Sequence, residues 1–308
     1  MTNTVLAWFD RSAIVATGPD ASSYLHGQLS ADIGRLGVGD SAWSLLLAPT
    51  GKMVAWLRVN RTGEESFVLD LDPAAGEEAL ARLMRFKLRV DVDLSLETGY
   101  RMLSVRSVGE PGRESGDDTA AMTAAGEEAA TDAGAPEQPE GVLVGVAPGR
   151  TVGVVGYDLI ARTPSLIIAP AAASEDPSAV EADRIAHGIP AHGAEIDTDV
   201  IPGELGGWLV EESVSWTKGC YTGQELVARV DSRGNNTPRH LSILTFAQDS
   251  VKVPYGVGVV DADGKVVGSV TSTSGGRALA LLKRSVEPGS TVSIEGHQAT
   301  TERMDGRQ

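Results

Sequence analysis

Cysteine is almost absent: Cys220 is the single thiol in 308 residues. One thiol closes no disulfide within the chain and builds no metal cage alone, which excludes a stapled secreted scaffold and leads us to expect a reducing, cytoplasmic setting. Basic residues are outnumbered, 26 Lys and Arg against 42 Asp and Glu, for a net charge of −16. Phosphate backbones bind by releasing counterions to a basic surface, so direct nucleic-acid binding is not expected. No stretch approaches the roughly 18 apolar residues of a membrane span, and the opening segment, with its early Asp10, has no basic leader; neither an anchor nor secretion is expected. A P-loop, a strand-linked GxGxxG, HExxH and GxSxG are all missing, which leaves nucleotide-triphosphate, dinucleotide, zinc-protease and serine-hydrolase chemistry without support.

Apolar residues at 42% and charged residues at 22% are the balance of a folded globular protein, long enough for one large or two to three ordinary domains. The charge is unevenly spread. Residues 108–141 hold nine acidic side chains against Arg113 alone and are otherwise Ala, Gly, Thr and Pro with hardly a large apolar group. Such a segment cannot offset the entropy of ordering, so a disordered acidic surface insertion is expected, a solvated spacer more readily than a partner-binding element.

Alternating or apolar runs before the insertion predict strands in AIVATG, SAWSLLLA, MVAWLRVN, SFVLDL, VDVDLSL and YRMLSVR. Pro49-Thr50-Gly51-Lys52 reads as a hairpin turn and Arg61-Thr62-Gly63 as another. Two helices interrupt: ASSYLHGQLSADI, with Asp20 as its cap, and EEALARLMRFK, with Leu80, Leu83, Met84 and Lys87 on one face. After the insertion, GVLVGVAP, TVGVVGYDLIA and SLIIAP read as strands. EDPSAVEADRIAHG reads as a helix with Asp176 as N-cap and Gly188 in the left-handed position after its end. From Arg239 the pattern is purely β, with Asp263-Gly264 as a hairpin turn, which predicts a small closing barrel.

Residues 216–239, WTKGCYTGQELVARVDSRGNNTPR, place the only thiol between Gly219 and Tyr221, two residues after Lys218. Glycines on both sides permit tight turns and close approach of backbone to a ligand, and a nearby ammonium favours thiolate over thiol. The plain alternative is an inert, buried cysteine. Lys218-Gly219-Cys220-Tyr221-Thr222-Gly223-Gln224-Glu225 matches the KGCYxGQE signature, and on these residues the chain resembles the YgfZ family; Val227-Ala228-Arg229 and Arg233-Gly234 continue the match. Weaker similarities lie in Tyr24 to Asp32, in Leu47 to Lys52 and in Arg184-Ile185 through Gly188-Ile189-Pro190.

The resemblance implies an α+β fold like the glycine-cleavage T-protein: a multi-domain ring around a tetrahydrofolate channel, closed by a small C-terminal β-barrel. It divides the chain into a folate-binding region, 1–239, of two intertwined α+β subdomains that carries the insertion, and a barrel, 240–303. It implies a folate-binding protein that assists iron–sulfur cluster assembly, insertion or repair in client enzymes, tRNA-modifying ones among them, an assembly factor more than an enzyme; the alternative is a tetrahydrofolate-dependent aminomethyltransferase. Partners would be folate and iron–sulfur client or assembly proteins, with neither nucleic acid nor membrane contacted directly. Cys220 and Lys218 become the reactive residues, and Tyr221, Gly223, Gln224, Glu225, Arg229, Arg233 and Arg184 the cofactor-binding ones. The family's folate-stacking aromatics have no clear counterpart: Arg11 and Ser12 stand on the first strand, and Val180 on the helix before Gly188.

A flat pterin with a carboxylate tail needs a slot with hydrogen-bonding edges and local bases, for which Lys52 and Arg239 are further candidates. For Lys52 a surface ion pair is the favoured reading. Asp70 and Asp72 stand where a T-protein carries an Asn-rich stretch with its catalytic aspartate, and a strand-end or cap role is favoured for both. His187 and His192, five apart across Gly188 and Pro190, read as a structural turn, so no resident metal is expected. An iron–sulfur cluster needs about four thiolates, so a single cysteine could act only transiently, as a nucleophile or a bridging ligand.

Overall fold

The computed structural model describes residues 3–108, 137–169 and 174–303; most of the expected acidic insertion, 109–136, lies outside them. Seven strands, β1 (Asn3–Thr17), β2 (Ser41–Leu47), β3 (Met53–Gly63), β4 (Ser66–Leu71), β5 (Asp93–Val108), β6 (Val142–Val146) and β7 (Gly156–Ala161), form one antiparallel sheet in the order β2-β3-β4-β1-β5-β7-β6.

Strand alternation decides what each face carries. Ala55, Leu57 and Val59 on β3, with Phe67, Leu69 and Leu71 on β4, bury themselves against α1 (Ala21–Gln28) and α2 (Gly76–Phe86). The residues between them, Trp56, Arg58 and Asp70, therefore turn to the opposite face. That face is covered by α3 (Ser178–Ala186) and the loop after it. The sheet is strongly curled. Trp43 Nε1 on the β2 edge donates to Val146 O on the β6 edge at 3.2 Å, so the two ends of the strand order meet.

The chain then forms two short helices, α4 (Gly207–Ser213) and α5 (Gln224–Asp231), before six strands close a barrel in the order β10-β11-β8-β13-β12-β9. These are β8 (Arg239–Phe246), β9 (Gly258–Val260), β10 (Val266–Ser274), β11 (Arg277–Lys283), β12 (Thr291–Ile294) and β13 (His297–Arg303). Leu244, Phe246, Ala278, Ala280 and Leu282 fill its interior. Their neighbours Leu241, Ile243, Leu279 and Leu281 point outward and join the core shared by β2, β3, α4 and α5. The expected barrel and α+β class are both present.

Several elements differ from expectation. AIVATG is only the end of a 15-residue β1, and VDVDLSL with YRMLSVR form one continuous β5. Long pairing between β1 and β5 carries each strand through its polar interruptions. SLIIAP is not a strand; it opens with a 3₁₀ turn at Pro164–Leu166. The turn placed at Arg61–Gly63 falls at Glu64-Glu65. Asp20 does precede α1, but its carboxylate accepts from Asp91 N at 2.7 Å instead of capping the helix. On α2, Met84 is 48% exposed while Arg82 is buried, donating to Leu47 O and Gln28 Oε1. The helices α4 and α5 and the strand β13 carried no periodic signal of their own.

At α3 the stop is as read, while the N-cap falls one residue later than read, at Pro177. Asp176 Oδ1 accepts from Ser178 N at 2.9 Å. Gly188, at φ +64°, lets its own N–H reach Ile185 O and Ile189 N–H reach Arg184 O, which ends the helix in a Schellman turn.

Candidate functional site

A cleft of about 880 Å³, including the solvent at its mouth, lies between the curled sheet and α3. Its sheet wall begins with two indoles. Trp43 and Trp56 lie with centroids 4.7 Å apart and planes tilted by 36°, and Trp56 is held by Nε1 donating to Ser213 Oγ at 3.0 Å. Phe9 and Met102 extend this apolar surface. The opposite wall is α3 with Val180, Glu181, Asp183 and Arg184, followed by the loop residues Ile189 and His192.

Charged groups alternate across the sheet wall. Arg11 Nε and Nη2 donate to Asp70 at 2.7 and 3.2 Å. Arg58 donates to Asp70 Oδ2 and to Asp158 Oδ2, both at 3.1 Å. Arg106 Nη2 lies 2.8 Å from Asp158 Oδ1, which also accepts from Ser104 Oγ at 2.7 Å. Burial alone would raise the Asp158 pKa, but Arg106 and Arg58 outweigh it and hold that carboxyl below its ordinary value. Burial likewise works to lower the Arg11 pKa, and the Asp70 carboxylate reverses the direction.

The signature loop builds a second feature. Lys218 Nζ donates to the carbonyls of His26, Leu29 and Ala31 at 2.5, 2.6 and 2.9 Å, closing the open C-terminal end of α1. An ammonium has three N–H groups, so none remains for the thiol. Burial lowers the Lys218 pKa to about 8, against a partial pull upward from Asp32. Thr222 N donates to Gly27 O, and Gln224 Oε1 accepts from Tyr221 N at 3.1 Å. Gly223, at φ +88°, precedes α5; a Cβ there would lie 2.7 Å from Ala48 O. The three stretches that resembled one family by sequence, Tyr24–Asp32, Leu47–Lys52 and Lys218–Glu225, thus pack together. Cys220 stands exposed on this assembly.

Of the reactive and cofactor-binding residues implied by the resemblance, Arg184 alone lines the cleft, and it is already engaged: with Glu181 at 2.9 Å, Ile189 O at 2.7 Å, Glu195 at 3.1 Å and Ser272 Oγ at 2.9 Å. Tyr221 is buried in the core shared with Trp56, where burial pushes its pKa up to about 12. Glu225, Arg229 and Arg233 are exposed on or just beyond α5, and Lys218, Cys220, Gly223 and Gln224 also lie away from the cleft. Lys52 makes an exposed ion pair with Asp199 at 2.7 Å, and Arg239 a bidentate pair with Glu204.

Asp72 caps a 3₁₀ turn through Ala74 N, whereas Asp70 is a fully buried ion-pair partner. His187 hydrogen-bonds within α3 to Asp183, and His192 Nε2 lies 3.0 Å from Val54 O. Among the described residues no group of three or more His, Cys, Asp or Glu side chains could hold a metal, and no helix is long and apolar enough to cross a membrane. Arg11 and Val180, which replace the expected aromatics, do line the cleft. Sequence reasoning missed Trp43, Trp56, Arg58, Arg106 and Asp158. An ionisable residue set inside an apolar strand, as in WLRVN, LSVRSV and GYDLIA, was the available signal.

Comparison with known proteins agrees with this fold. The model of the CAF17 C-terminal β-barrel domain matches residues 239–306. An uncharacterized protein of Haemophilus influenzae is 26% identical over 84% of this chain and 80% of its own. The tRNA-modifying protein YgfZ of Photorhabdus laumondii is 27% identical over 76% of this chain and 68% of its own, and an aminomethyltransferase of Frankia alni is 28% identical over 91% and 78%. The crystal structure of the glycine cleavage system aminomethyltransferase T from Bartonella henselae superposes with a TM-score of 0.70 at 17% identity, covering 97% of this chain and 85% of that one. With a CAF17-type barrel closing an aminomethyltransferase-like fold, and a YgfZ protein matched along most of its length, the chain is similar to proteins of the CAF17/YgfZ family.

Proposed function

We infer that the chain binds a reduced folate in the cleft between the sheet and α3, and that it assists iron–sulfur cluster assembly, insertion or repair in client enzymes, tRNA-modifying ones among them, through Cys220. The carrying observation is the chemistry of the cleft. Trp43 and Trp56 offer an apolar surface of two indoles tilted 36° to each other, while Arg11 and Arg106 bring donors and Asp158 and Asp183 bring acceptors around it. That donor set fits a pterin, which is planar and polar-edged, with an acidic tail. Trp43, Trp56 and Val180 would hold the ring system and Arg11 and Arg106 its acceptors. Bound there, a reduced folate supplies a one-carbon carrier.

Cys220 contributes differently. Exposed on a loop pinned to α1 and to the β2–β3 hairpin, it can approach a sulfur or metal carried by another protein. Titration with tetrahydrofolate tests the ligand, since the cleft indoles should quench saturably; a flat signal would leave an interaction scaffold instead. Complementation tests the thiol. Cys220→Ser is expected to lose support of iron–sulfur enzyme activity in a deletion strain, and full support would remove the thiol from the function.

A second reading, a folate-dependent aminomethyltransferase, draws on the Frankia relative. It requires turnover of a methylamine donor with tetrahydrofolate. Asp158 is a poor base for it, because two arginines hold it ionised and hydrogen-bonded.

A further inference from the structure

The geometry points to Arg58, which does not line the cleft, as the positioning residue of its sheet wall. Its side chain is 1% exposed, as are those of its partners Asp70 and Asp158. The outer arginines, Arg11 at 12% and Arg106 at 8%, reach the cleft. The burial gradient orders the chain Arg11–Asp70–Arg58–Asp158–Arg106, with Arg58 at its centre. Arg58 also donates to Val146 O at 3.2 Å, the carbonyl that Trp43 Nε1 uses, and its guanidinium lies 5.1 Å from the centroid of the Trp43 ring. One group therefore bridges both carboxylates that pair with the cleft arginines and touches one of the two indoles, while Ser104 Oγ also holds Asp158 and the Val105 and Tyr157 carbonyls also hold Arg106.

Stability does not account for this arrangement. Buried ion pairs lose in desolvation much of what they gain in attraction, and well-packed apolar residues often serve as well. Arg58 Nε, moreover, is buried without a hydrogen-bond partner, a feature that folding alone would tend to remove. The chain also reserves space for the group. Gly145 on β6 stands opposite Asp158, and a Cβ there would meet the Arg58 guanidinium nitrogen, with its central carbon only 2.5 Å away.

The inference rests on the cleft being the folate site, and the test separates the two claims. Binding of 5-formyltetrahydrofolate, an air-stable reduced folate, is measured for wild type, Arg58→Met, Arg58→Lys and Gly145→Ala. The near-UV circular dichroism of the Trp43–Trp56 pair is recorded without ligand, as the difference from Trp43→Phe. Arg58→Met and Gly145→Ala should each weaken binding about tenfold or more, about 1.4 kcal/mol, and alter the indole signal. Arg58→Lys should not rescue, since one ammonium does not bridge two carboxylates in fork geometry. Gly145→Ala should add little in the Arg58→Met background, where its clash is gone.

Wild-type affinity with an unchanged indole signal in Gly145→Ala overturns the role of Arg58, as does a variant that only melts earlier. Gly145→Ala carries the test even if Arg58→Met fails to fold. If wild type binds no folate, the cleft reading falls, and the ligand-free indole signal still decides the positioning role.

Discussion

At position 218 an ammonium stands two residues from the only thiol, and in sequence alone that spacing suggests a partner for the thiolate. The folded chain employs Lys218 elsewhere, with its three donors holding the carbonyls of His26, Leu29 and Ala31. Lys218→Met should thus leave the rate of Cys220 alkylation at a fixed pH nearly unchanged, while amide exchange across residues 24–33 accelerates. A charged hydrogen bond of this kind is worth about 2 kcal/mol. The pH dependence has a definite sign. The folded pKa is about 8 against an ordinary 10.5, so between these values the unfolded chain holds a proton that the folded chain lacks, and stability rises with pH. Urea unfolding at pH 7.5 and pH 10 should show the difference between wild type and Lys218→Met growing toward the higher pH; a shrinking difference would mean that the three carbonyls outweigh burial.

Among elements, the contrast between two left-handed glycines is informative. Gly188 ends α3 and faces a simple conformational demand, so Gly188→Ala should cost about 1–2 kcal/mol in chemical denaturation. Gly223 meets the same demand, and a Cβ there would also lie 2.7 Å from both Leu47 Cβ and Ala48 O. Overpacking adds about 1–3 kcal/mol, so Gly223→Ala should destabilise more, and protease nicking should begin near Cys220. The glycine-rich signature marked this loop in the sequence. The helix it opens, α5, did not show, because eight residues with Val227 as their one buried side chain make too short a stripe to read.

Across the whole molecule, α3 is tied to the barrel by a buried clamp. Glu195, 0% exposed, accepts from Arg184 at 3.1 Å, Ser272 Oγ at 2.6 Å and Ala191 N at 2.9 Å. Glu195→Ala would remove the buried acceptor that Arg184, Ser272 and Ala191 N share, leaving Arg184 with Glu181, Ile189 O and Ser272 Oγ, and should lower stability by about 1–3 kcal/mol in thermal or urea unfolding; no measurable loss would mean the barrel is held by apolar contact alone. Strands, the closing barrel and the α3 stop were legible because alternation and turn chemistry act between near neighbours, and AIVATG, HLSILTF and HGIP carry them on their face. The cleft was not. Arg58 meets Val146 across 88 residues and Asp158 across 100, and only the curl of the sheet, set by the summed twist of seven strands, brings those groups within hydrogen-bond reach. What the sequence determined was which side chain each strand turns inward; which charges then face one another was decided by tertiary structure, because that pairing depends on the path of the whole sheet and on no local pattern.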